Sequence, residues 1–575
     1  MPIRFEKTEV LIVGGGPTGL FASILLSQQG VPHILVECRP GAQPAPAAHV
    51  INTRSMELFR QAGLNMEALY KLNKHQDARY VSWVSDLRSD ALGQFELEND
   101  VTNDHRESIS QDSITNVSQT LIEEVLGVKA RELAENENSL RYGWTWKNFV
   151  NGDTQLNEVV SSSGEVSHIR AAYVLAADGA GSPIARALGI KKNGPSIVAS
   201  FLNLSCRVDM TQVAKEKNSL LYWVLDPENP AVCIVHDPKE LTVVMRPIHE
   251  PFESPENFDD ATCDQWLKKL FGPDIPFKVF FKGVWNMSAQ VADKFRHKNV
   301  FLVGDSAHRF PPTGGLGLNS GVADAHNLVW KIVAHRNGAT DELLDTYEQE
   351  RRSIIQMNCD LSLSNYFRMN EVLCEIGLDT DKAKILPRVM NNSLIQRLPV
   401  SLQNGLKRLL LMPAKKALSS VGGSSDKGIE KKRRVQSVID DQSDHFYMPG
   451  MELGYIYRDG IAVSSDAKRT KGSIASSYTP ITEAGARFPH VWLNGSEGKR
   501  STLDLVGYQG YTLLVKGEVP SFEPKAFGLP TKVIDIEKEY SECSDFVSEK
   551  LSMKTGDWIF VRPDGHIAKR HPAVF

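Results

Sequence analysis

The chain has 575 residues, 41% hydrophobic and 23% charged, with 42 glycines and 29 prolines, ordinary globular usage that excludes a collagen, a coiled coil and wholesale disorder. At roughly 150 residues per domain, this length predicts about three or four domains. Its 65 basic and 70 acidic residues leave a net charge of −5, which excludes a global positive field for holding nucleic acid or anionic lipid.

The first predicted element is a buried strand, Val10 to Val13, following the polar start MPIRFEKTEV. It breaks at Gly14-Gly15-Gly16-Pro17-Thr18-Gly19, an amphipathic helix runs to about Gln29, and a second apolar run from His33 to Val36 ends at Glu37. Such a strand, Gly-rich turn, helix and strand let backbone approach a pyrophosphate, aim a helix N-terminus at it and offer the acid to ribose hydroxyls. Gly14, Gly16, Pro17, Thr18, Gly19 and Glu37 are therefore candidate dinucleotide contacts.

Alternation in YVSWV, between about Tyr80 and Glu98, and in SLLYWVL and ELTVVM, between about Ile197 and Lys282, predicts antiparallel strands of a second domain interleaved with the first. Tyr222 and Trp223 on that sheet are candidate substrate contacts. Trp144-Thr145-Trp146 reads as the alternating aromatics of a strand. Asn299 to Val303 returns to a buried-strand pattern and leads through Gly304-Asp305 and the loop Pro311 to Gly317 into a helix bearing Val322, Ala325, Val329, Ile332 and Val333 at helical spacing.

From Met412 to Arg434 the composition shifts to Ser and Gly and then to Lys431-Lys432-Arg433-Arg434, which reads as a solvated linker. Beyond it, YTLLV, KVIDI and WIFVRP predict a separate α/β unit. The expected organisation is a nucleotide domain over residues 1–190 with substrate strands interleaved at about 75–115, a substrate sheet over 191–290, the second part of the nucleotide domain with its helices over 291–410, a linker over 411–435 and a terminal domain over 436–575. The seven cysteines form no C-x-x-C pair and no metal-like cluster, so no disulfide framework, zinc site or dithiol centre is expected. Apolar runs fall far short of the roughly 20 residues a membrane span needs, and the expected location is the cytoplasm.

Three segments, Ala176-Ala177-Asp178-Gly179-Ala180-Gly181-Ser182, Phe301 to His308 and Pro311 to Asn319, resemble in order and spacing the fingerprints of the class A flavoprotein aromatic hydroxylases, the phenol and para-hydroxybenzoate hydroxylase family. The resemblance continues through Asp324 to Lys331, Leu344 to Arg352, Pro489 to Trp492 and Val561 to His566, and so covers nearly the whole chain. It is strongest to the longer phenol and chlorophenol hydroxylases with a C-terminal thioredoxin-like domain. It implies an α/β fold: a Rossmann-type FAD-binding domain interleaved with an antiparallel-sheet substrate domain, and a thioredoxin-like α/β domain, here without C-x-x-C, of structural or assembly role.

The implied activity is FAD-dependent monooxygenation, in which NADPH reduces a non-covalently held flavin, dioxygen forms a flavin C4a-hydroperoxide, and its distal oxygen passes to a phenolic ring. By the same resemblance Gly304 and Asp305 hold the ribityl chain, and the loop through Pro312, Gly315, Gly317, Leu318 and Asn319 wraps the flavin ring. Asp178 and Gly179 serve flavin and NADPH, Arg54 and Gln119 contact FAD, and the Pro312 carbonyl lies near substrate. His49, five residues before Arg54, stands where it can take the substrate's phenolic proton. A homodimer is expected.

The sequence departs from the family pattern at Ala47-Ala48, at Ala185 and near Val243 to Arg246, changes that bear on the substrate and not on FAD binding. Two alternatives stay open: flavin-peroxide epoxidation or Baeyer-Villiger oxidation of a polyketide or terpenoid, and a flavin-fold binding protein without chemistry.

Overall fold

Val10, Leu11 and Ile12 are wholly buried, as a strand covered on both faces in a parallel sheet requires. In the computed structural model, which describes residues 3–45, 48–97, 100–136, 139–378, 384–423, 425–460, 475–495, 498–517 and 528–572, β1 (Arg4–Val13) is central to that sheet. It runs parallel to β2 (His33–Glu37) on one side and to Val166–Ala176 on the other. Val300–Leu302 and Leu140–Tyr142 extend the sheet, also in parallel. Helix α1 (Pro17–Gln28) buries Leu20, Phe21, Ile24 and Leu25 against it, so the Gly-rich turn is held between two fixed elements.

The second sheet has seven strands, in the order Phe277–Met287, Ala199–Val208, Leu241–Ile248, Ala231–Asp237, Ser219–Val224, Tyr80–Val84 and Ala91–Glu96. Alternation splits its faces. Leu202, Leu204, Tyr222, Val224 and Cys233 pack with Trp266, Leu267 and Phe271 of the helix Asp260–Phe271. Leu221, Trp223, Val232, Ile234, Val243 and Met245 form a cluster on the other face. The expectation of an all-antiparallel sheet needs one correction, because Ser219–Val224 pairs in parallel with Tyr80–Val84. That strand arrives from the interleaved early segment, and no hairpin fixes its direction.

The helices Leu316–Arg336 and Glu342–Ile376 lie behind the nucleotide domain and bury Val322, Ala325, Val329, Leu344 and Tyr347 in its core. The stretch expected as a linker is largely helical: Val400–Ser419 and Asp426–Asp440. Ser425 caps the second helix by accepting from Gly428 N. Val435 and Ile439 are buried with Val81, Trp83 and Leu92, and Gln436 exchanges hydrogen bonds with the Gln94 backbone. The basic run covers the outer side of that helix, with Arg434 paired to Glu375 at 2.7 Å and Lys431 donating to Ile376 O. In the terminal unit Tyr511–Val515 runs parallel to Thr531–Asp535 and antiparallel to Trp558–Val561, which pairs with Ile567–His571.

Candidate active site

Gly14 has φ +112°, and a Cβ there would strike the Ala177 carbonyl; a Cβ on Gly19 would strike the Gly14 carbonyl. These two glycines let turn, helix and neighbouring strand close together. Gly16 differs, since the nearest atom to a built Cβ is Glu123 Oε1 at 4.0 Å, and it borders a cavity of about 850 Å³. Pro17 occupies the first helical position and Gly16 offers no side-chain cap, so the first-turn N–H groups of α1 are left for an anionic ligand.

Pro17, Thr18, Glu37, Gln119, Asp178 and Gly179 line the same cavity. Glu37 accepts from Gly15 N at 2.5 Å and from Arg39 N and Nε at 2.8 Å each. Burial pushes its carboxyl up, but Arg39 and the two N–H groups outweigh this and hold it below the usual range. Gln119 donates to Glu123 at 2.8 Å. Asp178 accepts from Ile184 N with one oxygen while the other is buried without a partner, and burial raises its carboxyl. An orphaned buried carboxylate oxygen facing a turn is costly unless a ligand donates to it.

Gly304, at φ +61°, packs a built Cβ 2.9 Å from Thr18 Oγ1 and donates its N–H to Asp324 at 3.1 Å. The next side chain, Asp305, is exposed on the cavity wall. Lys192, which the sequence did not single out, donates to the carbonyls of Asp305 at 2.8 Å and Ala180 at 3.2 Å, tying two motifs together. Gly315, at φ +62°, begins the Leu316–Arg336 helix, again with no side-chain cap. Gly315, Gly317 and Leu318 line the cavity beside Pro312.

Six expectations change. Gly19 and Gly304 lie behind the cavity wall, Gly19 against the Gly14 carbonyl and Gly304 against Thr18 with its N–H on Asp324. Arg54 is not on the cavity wall; it donates to Glu57 at 3.0 Å and to the Asp564 carbonyl at 2.8 Å. Asn319 also stands behind the wall, accepting from Asn52 N at 3.1 Å and donating to Gly315 O at 2.6 Å. Pro312 borders the cavity, but its carbonyl accepts from Gly315 N at 3.0 Å. Tyr222 points into the opposite core and donates to the Glu216 carbonyl, whereas Trp223 faces the cavity.

His49 lines the cavity, and its Nδ1 lies 3.1 Å from Asn116 Oδ1. An amide oxygen only accepts, so Nδ1 carries the hydrogen and Nε2 is the free acceptor. Burial pushes its pKa down to about 4 against the opposing Asn116 bond. His236 meets it edge to face at 5.3 Å between centroids and is pushed down by burial and by His49. The sequence reading missed His236. The signal was the alternation Val232, Ile234, His236, which places it on the cavity side with Trp223.

Two uncapped helix starts, an orphaned carboxylate oxygen and a large cavity backed by an apolar sheet form a site suited to a dinucleotide with open space beside it. The chain belongs to the FAD-binding family: residues 7–362 match the family described as FAD binding domain. Its cofactor is FAD, and residues 482–574 match the family described as aromatic-ring hydroxylase, C-terminal. It is similar to tetracenomycin A2 monooxygenase-dioxygenase of Streptomyces glaucescens, 33% identical over 61% of this chain and 66% of the relative. It is 27% identical to 2,4-dichlorophenol 6-monooxygenase of Cupriavidus pinatubonensis, over 98% of this chain and 93% of the other. The chain spans 57 to 66% of the length of three Streptomyces relatives. In fold it is similar to the flavin-dependent monooxygenase PieE, solved with FAD and substrate, with a TM-score of 0.84 at 24% identity over 99% of this chain and 96% of that one. No helix among the described residues is long and apolar enough to cross a membrane.

Proposed function

We propose that the protein is an FAD-dependent monooxygenase that hydroxylates a phenolic ring with NADPH and dioxygen. The observation that carries this is the neutral His49–His236 pair on the wall of the cavity that also takes in the Gly16 turn, Asp305 and the 312–318 loop. Names of relatives as far apart as the dichlorophenol and tetracenomycin enzymes support the reaction class. When bound and reduced, FAD supplies the activation of dioxygen for transfer to an electron-rich ring.

The chain's own residues do the rest. Gly16 leaves room for a pyrophosphate at the α1 N-terminus, and Asp305 offers a charged acceptor to a ribityl hydroxyl. Asp178 and Gly179 extend that cradle, and the start of the Leu316–Arg336 helix places about half a positive charge at the flavin end. His49 Nε2 takes or shares the substrate's phenolic proton, which raises the ring's nucleophilicity. Trp223 and Trp285 and the aliphatic side chains between them exclude water from the reacting ring.

A finer reading has its own observation. The apolar floor runs from Trp285 to Trp223 across five adjacent strands, about 19 Å at ~4.8 Å per strand. A single ring covers only part of that width, so a fused multi-ring phenol suits the floor better than a simple phenol. The test is a panel of single-ring and fused phenols scored for stimulated NADPH oxidation and for isotope-labelled dioxygen in the product. Label in a hydroxylated fused phenol supports both readings. NADPH consumption that yields only hydrogen peroxide across the panel refutes them.

A further inference from the structure

Three motifs noted in the sequence, Asp324 to Lys331, Leu344 to Arg352 and Val561 to His566, contribute no residue to the cavity wall. The fold brings them together elsewhere. Arg562 of the terminal unit donates in bidentate fashion to both oxygens of Glu350, at 2.7 Å each, and its Nε donates to Asp564 at 3.0 Å. Lys331 and Asn327 also donate to Glu350 at 2.7 Å, and Trp330 Nε1 donates to Asp564 at 3.2 Å. The side chains of Lys331, Glu350, Arg562 and Asp564 are at most 1% exposed. Two cations and two anions balance, which makes such burial tolerable; removing one partner leaves an uncompensated buried charge.

Two short paths lead from this cluster to the flavin site. Along the Glu342–Ile376 helix, Arg351 follows Glu350 and donates to Asp324 at 2.8 Å. The other oxygen of Asp324 holds Gly304 N at 3.1 Å and His308 at 2.7 Å, fixing the turn that presents Asp305. On the second path, Arg54 donates to the Asp564 carbonyl at 2.8 Å from the first turn of α2 (Thr53–Gln61). Asn52, which caps α2, donates its N–H to Asn319, and Asn319 donates to Gly315 O, fixing the start of the flavin-facing helix. Arg487 of the terminal unit also pairs with Glu57 on α2.

We propose that the terminal unit is a positioning element of the flavin site, acting through the buried Arg562–Glu350 and Asp564–Arg54 links upon the Gly304-Asp305 turn and the Gly315 helix start. The inference rests on FAD being held in the cavity, not on which ring is oxidised. A terminal unit without dithiol chemistry thereby acquires a task within the site.

The test uses the full-length protein and reads FAD affinity by fluorescence titration beside the melting temperature of the flavin-free form. In Arg562→Met the FAD dissociation constant should rise about tenfold, within the coupling that such networks transmit, in a protein that is still folded by circular dichroism. Arg562→Lys should recover part of the loss. Glu350→Gln with Arg562→Met restores charge balance and should bind FAD more tightly than Arg562→Met alone. If Arg562→Met does not fold, the balanced double variant and Asp564→Asn carry the test. Folded variants that melt lower but hold FAD within twofold of the parent would overturn the proposal and leave the network as domain glue. A parent that binds no FAD would instead refute the cofactor assignment.

Discussion

Gly14 and Gly16 sit two residues apart and should fail in different ways. Gly14→Ala places a Cβ against the Ala177 carbonyl at a positive φ, a strained backbone costing of order 1–3 kcal/mol. In Gly16→Val the added Cβ comes no nearer than 4.0 Å to Glu123 Oε1, an ordinary contact, so the variant should melt near the parent temperature and yet purify without flavin. Parental flavin content in Gly16→Val would remove the α1 turn from the cofactor site. For His49 the prediction concerns pH. Its pKa is lowered to about 4, so it is neutral, and able to accept, throughout the range above that value. The acid limb of the oxygen-transfer step should therefore lie near 4 and not at the ordinary histidine value near 6.5. His49→Ala should slow that step by about 10²-fold or more, as read by stopped flow in the pre-reduced protein. A rate matching the parent across pH excludes the base role.

Residue by residue, legibility followed the reach of each partner. Gly14, Gly16, Asp178 and Asp305 stand on the cavity wall because the shape of a turn is set locally, whereas Gly19 and Gly304 close the same turns from behind it. Arg54 and Asn319 were read as cofactor contacts, yet each acts one shell behind the wall. Their partners, Asp564 and Asn52, lie 510 and 267 residues away in sequence, and nothing in a local window signals such a pairing. Tyr222 and Trp223 are adjacent in a strand, so only one can face the cavity. The strand's alternation alone did not say which.

At the scale of elements, the strand-turn-helix-strand unit and the strands of the substrate sheet were legible from periodicity. The helix Asp426–Asp440 was not, because four consecutive basic residues hide a short apolar repeat. Val435 and Ile439 are four apart, on one face, and both are wholly buried. Ile439→Ala should therefore lower stability by about 2–5 kcal/mol while leaving flavin content unchanged, since neither residue lines the cavity. Thermal unfolding with parallel flavin quantitation checks this. A melting point equal to the parent's would return the segment to the status of a linker.

Across the whole molecule, the Gly-rich turn comes from the first 40 residues, the apolar sheet wall of the cavity from residues 201–285, and further wall residues, His445, Phe446 and Met448, from beyond the stretch expected as a linker. A truncation after Gly423 removes these and strips Glu350 and Glu57 of Arg562 and Arg487. It should yield protein without bound FAD. A truncated, folded, FAD-loaded protein would show that the removed segment is dispensable to the site.

The expectations on flavin content, flavin affinity and oxygen transfer presuppose that the cavity holds FAD. The decisive experiment is the flavin absorbance of purified full-length protein after reconstitution with FAD, followed by denaturation and separation of chain from chromophore. One FAD per chain, released intact into the supernatant, is the predicted result. No flavin bound after reconstitution, or flavin that stays with the denatured chain, would contradict it.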